Sequence, residues 1–189
     1  MILTKTIDSI FLDRDGVINI DEGYTHKWSQ FEFIDGVLEA LKHLSDLKKN
    51  IIIVTNQSGI ARGYYTEEEY LLMKKLMLEE MNEFGINILD VYHCPHHIDG
   101  IIPSLSIQCS HRKPSPGMIL SALKKHNLDA TRSIMLGDKE SDIEAGENAK
   151  LAGNYLIKEE HASLKFITTA DDVFESLHDF VKNAFELRK

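Results

Sequence analysis

Cysteine is scarce in this chain, with 2 among 189 residues, which excludes a small disulfide-stapled scaffold. In a reducing compartment the expectation is two thiols or two metal ligands rather than a bridge. Long apolar runs are missing as well: none approaches the length needed to cross a bilayer, and Met1 to Thr6 has no basic segment followed by an apolar one. The expected location is therefore the cytoplasm. Low-complexity tracts and internal repeats are absent too. Basic residues are outnumbered, 21 against 30 acidic, and the net charge of −9 argues against nucleic acid or a membrane surface as partner. Small phosphorylated ligands stay open, because they need only a local cluster of cations and backbone N–H groups.

What is present is ordinary globular composition, 43% hydrophobic and 27% charged, at a length that suits one domain over residues 1–189, expected as a monomer. The chain is organised around Ile10-Phe11-Leu12-Asp13-Arg14-Asp15-Gly16-Val17. A short apolar run of strand character ends in two carboxylates, and Gly16 lets the backbone turn away. If the extended geometry persists, Asp13 and Asp15 project to the same side, where they repel unless a cation binds, a proton is shared or water screens both. An Asx-type turn closing a strand is the plainer alternative.

Downstream, Val37, Leu41 and Leu44 mark a helix after Asp35-Gly36, with Leu38 flanking, and Ile51-Ile52-Ile53-Val54 reads as a parallel strand covered on both faces. Thr66 and Glu69 form a capping box ahead of a helical face of Tyr70, Met73, Met77, Met81 and Phe84. A strand is expected over Leu89 to His93, and a helix capped by Ser115 with Pro116 in its first turn, burying Met118, Ala122 and Leu123. Ile134-Met135-Leu136-Gly137-Asp138 repeats the opening theme. Strands near Asn154 to Ile157 and Lys165 to Thr168 follow, then a terminal helix from about Asp171 carrying Val173, Leu177, Phe180 and Val181. Alternating strands and helices predict an α/β fold with a doubly wound, mainly parallel Rossmann-like sheet and no large cap domain. Ligands in such sheets sit outside the strand C-termini, where Asp13, Thr55 and Asp138 converge.

The chemistry of that edge is specific. Asp13, Asp15 and Asp138, with Asp142 one helical turn on, are an all-oxygen set suited to Mg²⁺. Thr55 and Asn56 offer hydroxyl and amide, Ser58 and Gly59 backbone N–H groups, and Lys113 a charge at the mouth of a helix, which together describe a phosphate pocket. Taken alone, Lys113 reads as a solvated cation.

These residues resemble the haloacid dehalogenase-like (HAD) phosphatases, with Asp13-Arg14-Asp15-Gly16, Thr55, Lys113 and Gly137-Asp138 through Asp142 similar to the four family motifs in order. The resemblance implies that Asp13 is the nucleophile, forming an aspartyl-phosphate, and that Asp15 is the general acid and base. Thr55 and Lys113 would hold phosphoryl oxygens, and Asp13, Asp15 and Asp138 the Mg²⁺.

A further stretch, about residues 93–112, carries two C-x-H pairs, Cys94 with His96 and Cys109 with His111, 15 residues apart. It reads as a structural Zn²⁺ loop with two thiolates and two imidazoles. His93 and His97 are rival ligands, and two buried thiols with incidental histidines are the alternative. Within the HAD group this loop resembles that of the heptose 1,7-bisphosphate phosphatases, with His111 in place of their last cysteine. That resemblance implies hydrolysis of the C7 phosphate of a small phosphorylated sugar, in the supply of activated heptose for lipopolysaccharide and other surface polysaccharide. It also implies substrate contacts from Asn19, Asp21, Glu22, Gly23, Tyr24, Thr55, Asn56, Gln57, Ser58, Arg62, Arg112, Lys113 and Lys139. Arg62, Arg112 and Lys139 either meet a second phosphate or sugar hydroxyls or are solvated surface cations, the plainer reading for Arg62 taken alone. His26, Trp28, Tyr64 and Tyr65 either line the entrance or pack. The rival enzyme is a histidinol-phosphate phosphatase, and the rival class a zinc-dependent binding module without catalysis.

Overall fold

Four consecutive residues with no polar side chain beyond the first build β1 (Ser9–Leu12), and every one of them is buried. That pattern suits a strand with neighbours on both edges and helices on both faces. In the computed structural model, which describes residues 6–158 and 168–186, β1 is central, flanked by β2 (Asn50–Asn56) and β4 (Ser133–Gly137). With β3 (Ile88–Cys94), β5 (Gly153–Ile157) and β6 (Asp172–Phe174) they form one sheet, ordered β3-β2-β1-β4-β5-β6, in which all pairings are parallel. Ser9 pairs with Asn50 on one side and Ser133 on the other, so β1, β2 and β4 start level, and β2 runs on three residues past the partner of Leu12.

Alternation along the strands separates two cores. Ile10, Leu12, Ile51, Ile53, Ile134 and Leu136 face α1 (Val37–Asp46), part of α3 (Glu67–Glu83) and α6 (Leu177–Ala184). Phe11, Ile52, Val54 and Met135 face α4 (Gly117–His126) and α5 (Glu140–Asn148). A short α2 (Ser58–Ala61) follows β2, and a smaller cluster of Ile60, Tyr65, Tyr70 and Met73 roofs the C-terminal edge of the sheet.

Several expectations change. The strand placed at Lys165 to Thr168 falls largely outside the described residues. The helix expected from Asp171 begins instead at Leu177, capped by Ser176, whose hydroxyl accepts from Asp179 N–H at 3.0 Å. Asp171 has other partners. Its N–H donates to Asn154 O and its carboxylate accepts from Asn154 N–H, each at 2.8 Å, which steers the next three residues into edge strand β6. Pro116, rather than Ser115, occupies the cap of α4. Phe84 leaves the helical face of the four buried residues Tyr70, Met73, Met77 and Met81, and is 51% exposed at the end of α3. The Thr66–Glu69 capping box forms as expected.

Candidate active site

The chain leaves β1 through a donor from Asp13 N–H to Leu136 O at 2.9 Å, which extends the β1–β4 register by one residue and brings Asp13 to the sheet edge. Extended geometry stops there. Ile18 and Asn19 N–H groups close a turn onto Arg14 O, and Gly16, at φ 82°, carries the backbone around it. A Cβ at Gly16 would meet an Asp138 carboxylate oxygen at 2.6 Å, so only glycine lets the first loop and the β4 exit approach this closely. Asp13 and Asp15 nevertheless face one cavity of about 220 Å³.

Lys113 lies deep in that cavity, 3% exposed. Its ammonium donates to Val54 O at 2.7 Å and meets Asp13 at 2.8 Å and Asp142 at 2.6 Å, so it is a buried partner of carboxylates and not a solvated cation. Burial opposes its charge, but Asp13 and Asp142 together hold the Lys113 ammonium above its ordinary value. Burial pushes the Asp13 carboxyl up, against the pull of Lys113. Asp138 is pushed up to about 7, by burial first and then by the charges of Asp13 and Asp142.

The carboxylates regroup relative to the sequence expectation. Oxygens of Asp13, Asp138 and Asp142 lie within 4.8 Å of one another, and Asp138 Oδ1 is buried without a hydrogen-bond partner. An oxygen-only set with an unsatisfied carboxylate atom fits a hard divalent cation. The Asp15 carboxylate is outside this group, because Arg14 forks onto it at 2.6 and 2.8 Å and Asn19 and Gln57 donate to it at 3.1 and 3.2 Å. Asp142 takes the place in the cluster expected of Asp15.

Of the expected substrate contacts, Asp21, Gly23, Tyr24, Asn56, Gln57, Ser58, Lys113 and Lys139 line the cavity. Lys139 reaches Asp21 at 3.1 Å and Asp138 at 3.2 Å. Asn19 and Thr55 are buried beneath the wall, Thr55 Oγ1 accepting from Gln57 Nε2 at 2.8 Å. Glu22, Arg62 and Arg112 stand outside the lining: Glu22 is exposed, Arg62 meets His97 at 3.0 Å, and Arg112 donates to His96 O at 3.4 Å. Of the undecided aromatics, Tyr65 lines the cavity with His26 stacked on it at 4.6 Å, Trp28 packs on Phe31 and Phe33, and Tyr64 is 57% exposed against Tyr24.

Two residues escaped the sequence reading. Ser141 lines the cavity, with no signal beyond its place one residue ahead of Asp142. Arg14 is 1% exposed, paired with Asp15, donating to Thr25 O at 2.8 Å and lying 5.7 Å from the Tyr70 ring centroid. Its position between two carboxylates directly after a buried run was the available signal.

In the cysteine loop, Cys94, His96 and Cys109 bring their ligand atoms within 4.8 Å, as expected. His111 does not join them. Its ring lies 3.2 Å from Ser121 Oγ, because the turn closed by Arg112 N–H onto Cys109 O carries it toward α4. His93 pairs with Glu67 at 2.9 Å and His97 with Arg62, so neither rival replaces it. Burial pushes the Cys94 thiol up to about 11, reinforced by the nearby Cys109. Two thiols and an imidazole suit Zn²⁺ as three of its four positions.

The sheet, the acidic cluster and the buried lysine define the class as HAD-like phosphatases, and a family model described as HAD-hydrolase-like matches residues 110–180. D-glycero-alpha-D-manno-heptose-1,7-bisphosphate 7-phosphatase of Photorhabdus laumondii is 51% identical over 151 residues, covering 80% of this chain and 82% of that protein. The beta-named enzyme of Yersinia pestis is 40% identical over 181 residues, covering 95% and 96%. The chain belongs to this D-glycero-D-manno-heptose-1,7-bisphosphate 7-phosphatase family. The fold also matches a B. bronchiseptica D,D-heptose 1,7-bisphosphate phosphatase solved with magnesium and phosphate, at TM-score 0.83 and 24% identity, covering 96% of this chain and 100% of that one.

Proposed function

We propose that this phosphatase removes the C7 phosphate of D-glycero-D-manno-heptose 1,7-bisphosphate, with the α anomer preferred. The supporting comparison is 51% identity over 151 residues to the relative named for the α anomer, against 45% over 150 residues to the Pasteurella multocida and Haemophilus influenzae relatives named for the β. The observation that carries the chemistry is the buried contact of Lys113 with Asp13 and Asp142 at the floor of the cavity.

A carboxylate, Asp13, attacks phosphorus as the P–O bond to the sugar breaks, giving an aspartyl-phosphate and the free C7 hydroxyl. Splitting hydrolysis into two displacements suits a reaction so slow that accelerations of about 10²¹ are known for it. Asp15 gives the leaving oxygen its proton, then takes one from the water that attacks the acyl phosphate. Lys113 opposes the charge of the phosphoryl group. Asp13, Asp138 and Asp142 hold Mg²⁺, which supplies further charge neutralisation on the phosphoryl oxygens. Lys139, Asp21 and Tyr24, which line the same cavity, meet the sugar. Cys94, His96 and Cys109 hold a structural Zn²⁺ in the loop ahead of Arg112 and Lys113. The enzyme acts as a cytoplasmic monomer in the supply of activated heptose for surface polysaccharide. Among the described residues no helix is long and apolar enough to cross a membrane.

Side-by-side hydrolysis of the α and β heptose bisphosphates and of histidinol phosphate tests the substrate; faster release from histidinol phosphate refutes it. Asp13→Asn is expected to lose turnover while still folding, as read by circular dichroism, because Lys113 keeps its contact with Asp142. Unimpaired turnover in that variant excludes Asp13 as nucleophile.

A further inference from the structure

We propose that Tyr65 is a positioning residue whose hydroxyl, donating to Gln57 Oε1 at 2.6 Å, fixes the Gln57 amide so that only N–H donors face the Asp15 carboxylate. This deepens the reading above and rests on Asp15 as proton donor to the leaving group. All three side chains line the cavity, with Gln57 2% and Tyr65 5% exposed.

The direction of the chain follows from chemistry. The amide nitrogen of Gln57 donates to Asp15 Oδ2, at 3.2 Å, and to Thr55 Oγ1, at 2.8 Å. The amide oxygen then faces Tyr65, which must donate. Burial pushes the Tyr65 phenol up, which keeps it a donor. The ring itself is clamped: His26 stacks on it at 4.6 Å and 4°, and a Cβ at Gly59 would fall 2.1 Å from its Cε1. The remaining groups on the Asp15 carboxylate are Arg14 and Asn19, again donors. Among the described hydrogen bonds, Asp15 therefore has no protein acceptor. A proton that it carries goes to the ligand in the cavity. With the Tyr65 hydroxyl removed, the amide can turn, and its oxygen then captures that proton.

The test compares kcat/KM for the heptose bisphosphate, whose alkoxide must be protonated, with that for 4-nitrophenyl phosphate, whose phenolate leaves unaided, both with Mg²⁺. In Tyr65→Phe the sugar-to-aryl ratio is expected to fall about tenfold, a fraction of what general acid catalysis supplies. Gln57→Glu, which presents only oxygens, is expected to lower it further. A loss of packing lowers both substrates together, so a ratio within twofold of wild type in both variants overturns the proposal. If Tyr65→Phe melts early, Gln57→Glu gives the readout by itself, with the isosteric Gln57→Met, which has no oxygen to capture the proton, expected to keep the ratio within twofold of wild type. Wild-type enzyme that cleaves the aryl ester but not the heptose refutes the substrate reading alone, and glycerol 3-phosphate then serves as the alkyl ester.

Discussion

Single residues at this site are set by what their neighbours leave room for. Gly59 is an instance: the Tyr65 ring occupies the space of its missing Cβ, and His26 stacks on that ring. Gly59→Ala is expected to cost about 1–3 kcal/mol, as overpacked sites do, and to lower the midpoint of denaturant unfolding. An unchanged midpoint contradicts the clamp. Asp13 and Lys113 were legible in the sequence as members of an ordered set with Thr55 and Gly137-Asp138, although each alone reads as a turn aspartate or a solvated cation. That Lys113 is buried was not legible. A lone lysine carries no mark of burial, which here depends on Asp13 arriving from the end of β1 and Asp142 from the first turn of α5. Breaking such a buried pair commonly costs about 3–5 kcal/mol, whereas the exposed Lys42–Asp46 pair on α1 is screened by solvent and contributes little.

At the scale of elements, the cysteine loop shows where spacing stops informing. Two C-x-H pairs look alike in sequence, yet the turn after Cys109 sends the second histidine to Ser121 while the first stays with the thiols. His111→Ala is therefore expected to leave the zinc content of the purified protein unchanged, while Cys109→Ser loses it. Elemental analysis of both variants decides, and zinc lost from His111→Ala restores the four-ligand arrangement. The terminal helix makes a related point. Its buried positions Leu177, Phe180 and Val181 were legible from their period, but its start was not, since an aspartate serves equally as a cap or as a partner for a strand.

For the whole molecule the relevant quantity is concentrated negative charge. Three carboxylates crowd the sheet edge, and Asp138 in the folded protein is pushed from 3.8 up to about 7. Between those two values the folded state binds more protons than the unfolded one, so stability without metal falls as pH rises through that window. Mg²⁺ competes with the same proton. Its affinity is expected to rise with pH and level off above about 7, and the Mg²⁺-induced increase in melting temperature to be larger at about pH 8 than at about pH 6. A shift independent of pH shows that Asp138 does not carry a proton in the metal-free protein.

The sequence alone determined the parallel α/β sheet, the acidic edge and the lysine that serves it, because strand period, turn glycines and polar strand exits are local properties. Partners between side chains far apart in the chain were decided only by tertiary structure. Asp142 rather than Asp15 joins the acidic cluster, and Arg14, Gln57 and Tyr65 surround Asp15, since hydrogen bonds and burial depend on which loops meet.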